Sequence, residues 1–222
     1  AGEGWKEDLQ IRGTQSIELH HLYRAMGWLG EMSIQLGSDA HTLRCRKDLI
    51  EEELFRRNRD LFSELELVFF DTTSLYFEGQ GGESLGQYGH SKDHRSDERQ
   101  MIVGVVVDGA GRPICCQMWP GNVTDVTTLL PMVNRLRRRF SIGAVCVVAD
   151  RGMISAATIR ELEAQKVSYI LGVRMRRVKE VRTEVLKGKG RWQEVHPERE
   201  RSKDPSPLKV REQWVGEKRY VV

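Results

Sequence analysis

Two acidic residues have the placement that chemistry requires. Asp71 follows the apolar run Leu67, Val68, Phe69, Phe70, and Asp150 follows Ala144 to Ala149 ("AVCVVA"). Each reads as the carboxylate that ends a buried strand. A lone acid there is ordinarily a turn or helix-cap residue. A matched pair is different if the two strands lie side by side and run parallel, because the carboxylates then meet at one edge of a sheet. They repel, so either one holds a proton or a cation sits between them. Oxygen donors without His or Cys ligand spacing favour Mg2+ or Mn2+ over zinc. Two such ions can activate a nucleophile and stabilise the leaving oxygen of a phosphodiester.

Other residues carry weaker signals, each with two readings. In "YGHSKDHRSD", residues 88–97, the side chains of Lys92, His94 and Arg95 are suitable phosphate donors. The same stretch also reads as a solvated loop with local Asx turns. His90 and His94 lack the third partner a metal would need. Arg151, beside Asp150, can hold a phosphate or pair with a carboxylate. Trp119, before "PGN", can stack on a base or pack on the sheet. The run Arg137 to Arg139 closes a helix, where cations complement the dipole.

Charge and composition set the frame. The 222 residues are 39% hydrophobic and 30% charged, ample for a packed core. Residues 174–222 hold 15 Lys+Arg against 8 Asp+Glu, a balance of +7, while the remainder holds 20 against 24, or −4. A basic final segment on a mildly acidic body points to a polyanionic partner, or to a solvated charged surface. The four cysteines form no CxxC pair, and three lie in apolar runs, as reduced buried thiols do. Nothing in the sequence resembles a signal peptide, and no apolar run is long enough to span a membrane.

The elements that must position the acids follow from periodicity. Leu19, Leu22, Tyr23, Met26 and Leu29 recur at helical spacing. Ser38 and Asp39 are caps for a second helix, along which Leu49, Ile50, Leu54 and Leu61 line one face. A strand over about Leu65 to Asp71 comes next, then a Gly-rich polar loop. "QMIVGVVVDGAGRPICCQMW" reads as a hairpin. A helix follows with Thr124 to Thr128 as caps, Pro131 in its first turn and a core stripe of Leu129, Val133, Leu136 and Phe140. A strand ending at Asp150, a helix capped by Ser155 and a last strand, "VSYILGV", complete the body; residues 174–222 read as β-rich. The order β-β-β-α-β-α-β predicts a mixed α/β sheet with helices on both faces, and its continuous apolar strands predict burial on both sides.

The motifs "FFDTTSLYFEG", "YGHSKDHRSDERQMIVGVVVD", "WPGNVTDVTTL" and "VVADRGMIS" resemble the DDE transposases of bacterial insertion sequences, in the branch with a β-rich insertion inside a ribonuclease H-like core. The resemblance runs from about Leu19 to Val173. It implies a helical region over 1–62, a ribonuclease H-like catalytic core over 63–173 and a β-rich basic insertion segment over 174–222. It implies Asp71 and Asp150 as the first two members of an Asp-Asp-Glu triad holding Mg2+ or Mn2+. It also implies cleavage of double-stranded DNA at transposon ends with strand transfer to a target, by a homodimer on DNA in the bacterial cytoplasm, associated with the nucleoid. Two departures stand out. The family usually has Pro at the position of Ser96. Its third acid lies on a helix after the insertion, a role that none of Glu180, Glu184, Glu194 and Glu212 matches. The chain therefore reads as truncated before that Glu and inactive alone, with an apolar sheet face left uncovered and no DNA-binding helical domain ahead of the core. A non-catalytic DNA-binding or multimerising remnant, and a stand-alone metal nuclease with its own third ligand, are the alternative readings.

Overall fold

The computed structural model describes residues 13, 14, 16–33, 44–58, 67–79, 81, 84–90, 95, 97–140, 142, 146–173, 178–195 and 208–222. The chain divides into two compact units, Ala1–Ile170 and Leu171–Val222.

In the first unit, helices α1 (Leu19–Gly30) and α2 (Arg46–Asn58) precede strands β1 (Leu67–Tyr76), β2 (Gln100–Asp108) and β3 (Pro113–Pro120). Helix α3 (Leu129–Phe140), strand β4 (Cys146–Ala149), helix α4 (Ala156–Ala164) and strand β5 (Ser168–Leu171) follow. The five strands form one sheet in the order β3-β2-β1-β4-β5. β1, β2 and β3 make an antiparallel meander, and β4 returns parallel to β1. This is the ribonuclease H-like mixed α/β arrangement.

Alternation along β1 separates the faces. Val68, Phe70, Thr72 and Ser74 are buried, whereas Phe69, Asp71, Thr73 and Leu75 are exposed. Val106 and Cys115 continue the buried face, and the Cys115 Sγ meets Met132 Sδ of α3 at 4.0 Å. Helix α3 covers this face with Leu129, Met132, Val133, Leu136 and Phe140, and α4 packs beside it. The opposite face is open: Phe69 is 40% and Leu75 47% exposed. The apolar runs thus do not report burial on both sides; among the described residues the helices contacting the sheet lie against one face and one edge. The uncovered apolar face expected from the sequence is present.

Helix α2 also differs from its expected stripe. Ile50 and Leu54 point to solvent, while Asp48 is buried. The inward face is acidic because it meets Arg135 and Arg139 of α3, with Arg139 bridging Asp48, Glu51 and Glu52 at 2.8–3.3 Å. Glu51 accepts from the Cys116 N–H and Lys47 donates to the Cys116 carbonyl, both at 2.9 Å. These bonds satisfy the open edge of β3, which otherwise invites another strand. Two arginines of the run are therefore structural: Arg137 donates to the Gln165 carbonyl, and Arg139 ties α3 to α2. In α1, Leu19, Tyr23, Met26 and Trp28 are exposed, with Arg46 over the Trp28 ring. Ser38, Asp39 and Leu61 lie outside the described residues. Ser155 caps α4, accepting from the Thr158 N–H at 3.0 Å.

The four cysteines are free thiols; burial, with the Glu51 carboxylate adding to it, pushes Cys115 up to about 12. Among the described residues no helix is long and apolar enough to cross a membrane.

The second unit holds a π-helical turn, Val181–Val185, and the antiparallel strands β6 (Trp192–Glu194), β7 (Lys209–Val215) and β8 (Lys218–Val221), in the order β8-β7-β6. Arg211 on β7 is buried. It donates to the carbonyls of Val185 (2.9 Å), Leu186 (3.2 Å) and Gly188, and its guanidinium lies over the Trp192 ring. A buried charge needs such partners, and here they are carbonyls at the end of the turn.

Breaking the α2–α3 network leaves buried carboxylates uncompensated. Arg139→Leu is expected to lower unfolding stability by about 3 kcal/mol in urea; unchanged stability would contradict the assigned role. Burial opposes ionisation of Asp48, but the Cys45 N–H, Arg139, Arg135 and Lys47 outweigh it and hold its carboxyl below the ordinary value. Its contribution is then fully present above the unfolded value of about 3.9 and is lost as pH falls below it. Asp48→Asn should flatten the stability profile in that acid range, as read by chemical denaturation at stepped pH.

Candidate active site

The site is built on the parallel pairing of β1 with β4. β1 and β4 align Leu67 with Cys146, Val68 with Val147, Phe69 with Val148 and Phe70 with Ala149. The next residue on each strand is an aspartate. Asp71 and Asp150 thus stand immediately beyond the last pair, in the register of neighbours. Adjacent strands lie about 4.8 Å apart, so the two carboxylates spring from backbone positions roughly one strand spacing from each other. Both continue the parity of Phe69 and Val148, the open face, and both are exposed.

The strands part at this point. β1 does not end at Asp71, as the apolar run implied. It continues to Tyr76 paired with β2, Asp71 opposite Val105 and Tyr76 opposite Gln100. What ends is the pairing with β4, because Asp150 turns into the 3-10 turn Arg151–Met153. The Thr72 N–H donates to Asp71 Oδ1 at 2.7 Å. Among the described residues neither Asp71 nor Asp150 joins an ion pair. Hard oxygen donors one strand spacing apart fit a divalent cation of the Mg2+ or Mn2+ type. Among the described residues no cluster of three His, Cys, Asp or Glu side chains forms a ready ligand set.

A third carboxylate lies close by and was not singled out in the sequence. Asp125 opens the 3-10 turn Asp125–Thr127 and accepts from Thr72 Oγ1 at 2.9 Å. Its Oδ2 lies 3.6 Å from the point a Cβ on Gly152 would occupy, and Asp150 Oδ2 lies 3.8 Å from the same point. Its one sequence signal was its place in "NVTDVTT", which reads as a cap cluster.

The polar loop is fastened at the end of the sheet towards which β1 runs. Gln87 pairs with Gln100, and Gly121 donates to the Leu85 carbonyl at 3.1 Å. The Gln100 amide, fully buried, donates to the carbonyls of Gly121 (2.9 Å) and His90 (3.2 Å). A Cβ on Gly121 would stand 2.0 Å from the Gln100 carbonyl, so only glycine permits this approach. Arg95 is exposed, contacts Glu98 and lies over the Tyr76 ring at 5.2 Å. Lys92 and His94 lie outside the described residues. Arg151 is exposed beside Asp150. Trp119 is on the covered face, opposite to that of Asp71, and meets Phe70 edge-on at 6.4 Å across Gly104.

No curated protein sequence matches the chain. Among solved structures it is similar to a Mos1 transposase paired-end complex with the left transposon end, at 14% identity and a TM-score of 0.33, over 75% of this chain and 56% of that one. It is also similar to a Mos1 mariner paired-end complex with Mn, at 12% identity and a TM-score of 0.31, over 75% and 53%. The chain thus spans little more than half the length of these solved chains. The family model of the Transposase DDE domain matches residues 62–220, a stretch that contains both Asp71 and Asp150 and most of the chain, and the protein therefore belongs to the DDE transposase family.

Proposed function

We propose that this chain is the catalytic-core part of a DNA transposase of a bacterial insertion sequence, with Asp71 and Asp150 as two carboxylate ligands of the divalent-metal centre. The observation that carries the reading is the register: the aspartates follow the pair Phe70 and Ala149 on adjacent parallel strands and share the open face. When bound there, Mg2+ or Mn2+ would supply Lewis-acid activation of a nucleophile and charge neutralisation at a phosphodiester.

The chain's own residues contribute position. β1 is held on both sides up to Phe70 and by β2 beyond it, so Asp71 sits on a rigid strand. Asp150 sits at a strand-to-turn junction, one residue before Arg151, which is placed to meet a phosphate. Lys92, His94 and Arg95 are assigned to DNA contacts, whereas Trp119, packed against Phe70 on the covered face, takes its other reading as a residue of the sheet. The third acid is assigned to no residue of this chain. Residues 174–222, with their excess of basic side chains, are assigned to the DNA backbone, and the working form to a homodimer on double-stranded DNA of transposon ends and target, in the cytoplasm. The proposed domain limits are 1–62, 63–173 and 174–222.

In the full-length protein, Asp71→Asn and Asp150→Asn should each abolish Mg2+-dependent strand cleavage while leaving the thermal unfolding midpoint within a few degrees of wild type. Retained cleavage in either variant would overturn the metal assignment. DNA binding by the 222-residue chain should fall with rising salt, at a slope near −0.9 in log–log units for each phosphate contacted. A flat titration would remove the basic segment from the DNA interface.

A further inference from the structure

Asp125 has no part in the pair of carboxylates described so far, yet it is bonded to one of the segments that carry them and lies beside the other. Its backbone is fixed first. The Asp125 carbonyl accepts from the Thr128 N–H (3.1 Å) and Thr128 Oγ1 (2.7 Å), and Thr128 is fully buried. That anchors the turn to the start of α3. The carboxylate then reaches out in two directions. Oδ1 accepts from Thr72 Oγ1 at 2.9 Å, and Oδ2 faces Gly152, two residues beyond Asp150.

Alternation decides what this contact can do. Thr72 is buried and belongs to the covered face, whereas Asp71 belongs to the open one. Asp125 therefore approaches the sheet from beneath. It acts on Asp71 through Thr72: the hydroxyl bond holds Thr72 from one face, and the Thr72 N–H holds Asp71 Oδ1 at 2.7 Å. This fastening comes where it is needed, two residues after the pairing of β1 with β4 stops at Phe70.

We infer that Asp125 is a positioning residue for the reaction. It ties the turn before α3 to Thr72 on β1, with its Oδ2 on the side of Gly152 after β4, and so fixes the orientation of Asp71 relative to Asp150. The inference rests on the proposed metal role of those two residues. The groups supporting metal ligands commonly matter by about 10–100-fold in activity or metal affinity when removed.

The experiment is Mg2+-dependent nicking by the full-length protein, on a supercoiled plasmid carrying the coding sequence with its flanking DNA, read as rate against Mg2+ concentration. Asp125→Ala and Thr72→Val should each slow nicking by about 10-fold or more and raise the Mg2+ needed for half-maximal rate. Asp125→Asn and Thr72→Ser, which keep an acceptor and a hydroxyl, should stay within about threefold of wild type. The double variant Asp125→Ala with Thr72→Val should be slowed by less than the product of the two single effects, because the two substitutions share the bond between these side chains. If Asp125→Ala fails to fold, the near-isosteric Thr72→Val carries the test alone. A wild-type rate and Mg2+ requirement in Asp125→Ala or Thr72→Val, with Asp71→Asn inactive, would overturn this inference and leave the proposed function standing. An Asp125→Asn as slow as Asp125→Ala would also overturn it, by showing that the charge and not the bond is required. Full nicking by Asp71→Asn would instead remove the proposed function, and this inference with it.

Discussion

The parallel register between β1 and β4 is the constraint on which the site depends. A shift of one residue in that pairing would turn one aspartate to the covered face and leave the other on the open face, since side chains alternate with a period of two. The register is set by burial: Val68 and Phe70 on β1, with Val147 and Ala149 on β4, must all face α3 and α4. Fixing the apolar residues beneath thus fixes the two acids above. The packing of the core and the geometry of the site are one problem.

The rest of the first unit protects that arrangement. β2 holds β1 past the point where β4 leaves it, so Asp71 is not on a fraying end. The outer edge of β3 is capped by Lys47 and Glu51 of α2, and α2 is tied to α3 by the cluster around Arg139. Gln100 and Gly121 fasten the polar loop to the sheet end that β1 approaches. Each of these contacts joins residues far apart in the chain, and each is polar and at least partly buried, where a missing partner is costly.

Much of the architecture was legible in the sequence because strands and helices are local signals. The apolar runs gave the strands, the helical spacing gave the stripe of α3, and Ser155 gave the cap of α4. The two aspartates were legible because each interrupts an apolar run. What failed was whatever depended on partners. β1 was read as ending at Asp71, since hydrophobicity falls there, yet "TTSLY" is still strand because β2 pairs with it. Ile50 and Leu54 looked like a core stripe, but the arginines of α3 drew Asp48, Glu51 and Glu52 inward instead. "MIVGVVV" looked buried on both sides, and one face is open. Asp125 went unnoticed because its meaning lies in Thr72, 53 residues away.

The central claim is that Asp71 and Asp150 grip one divalent ion. A crystal of the full-length protein grown with Mn2+, with anomalous scattering measured at the manganese edge, tests it directly. The expected result is an anomalous peak with oxygens of both carboxylates within ligand distance, about 2.1 Å. A peak bound elsewhere, or two carboxylates turned to opposite faces of the sheet with no ion between them, would contradict the account.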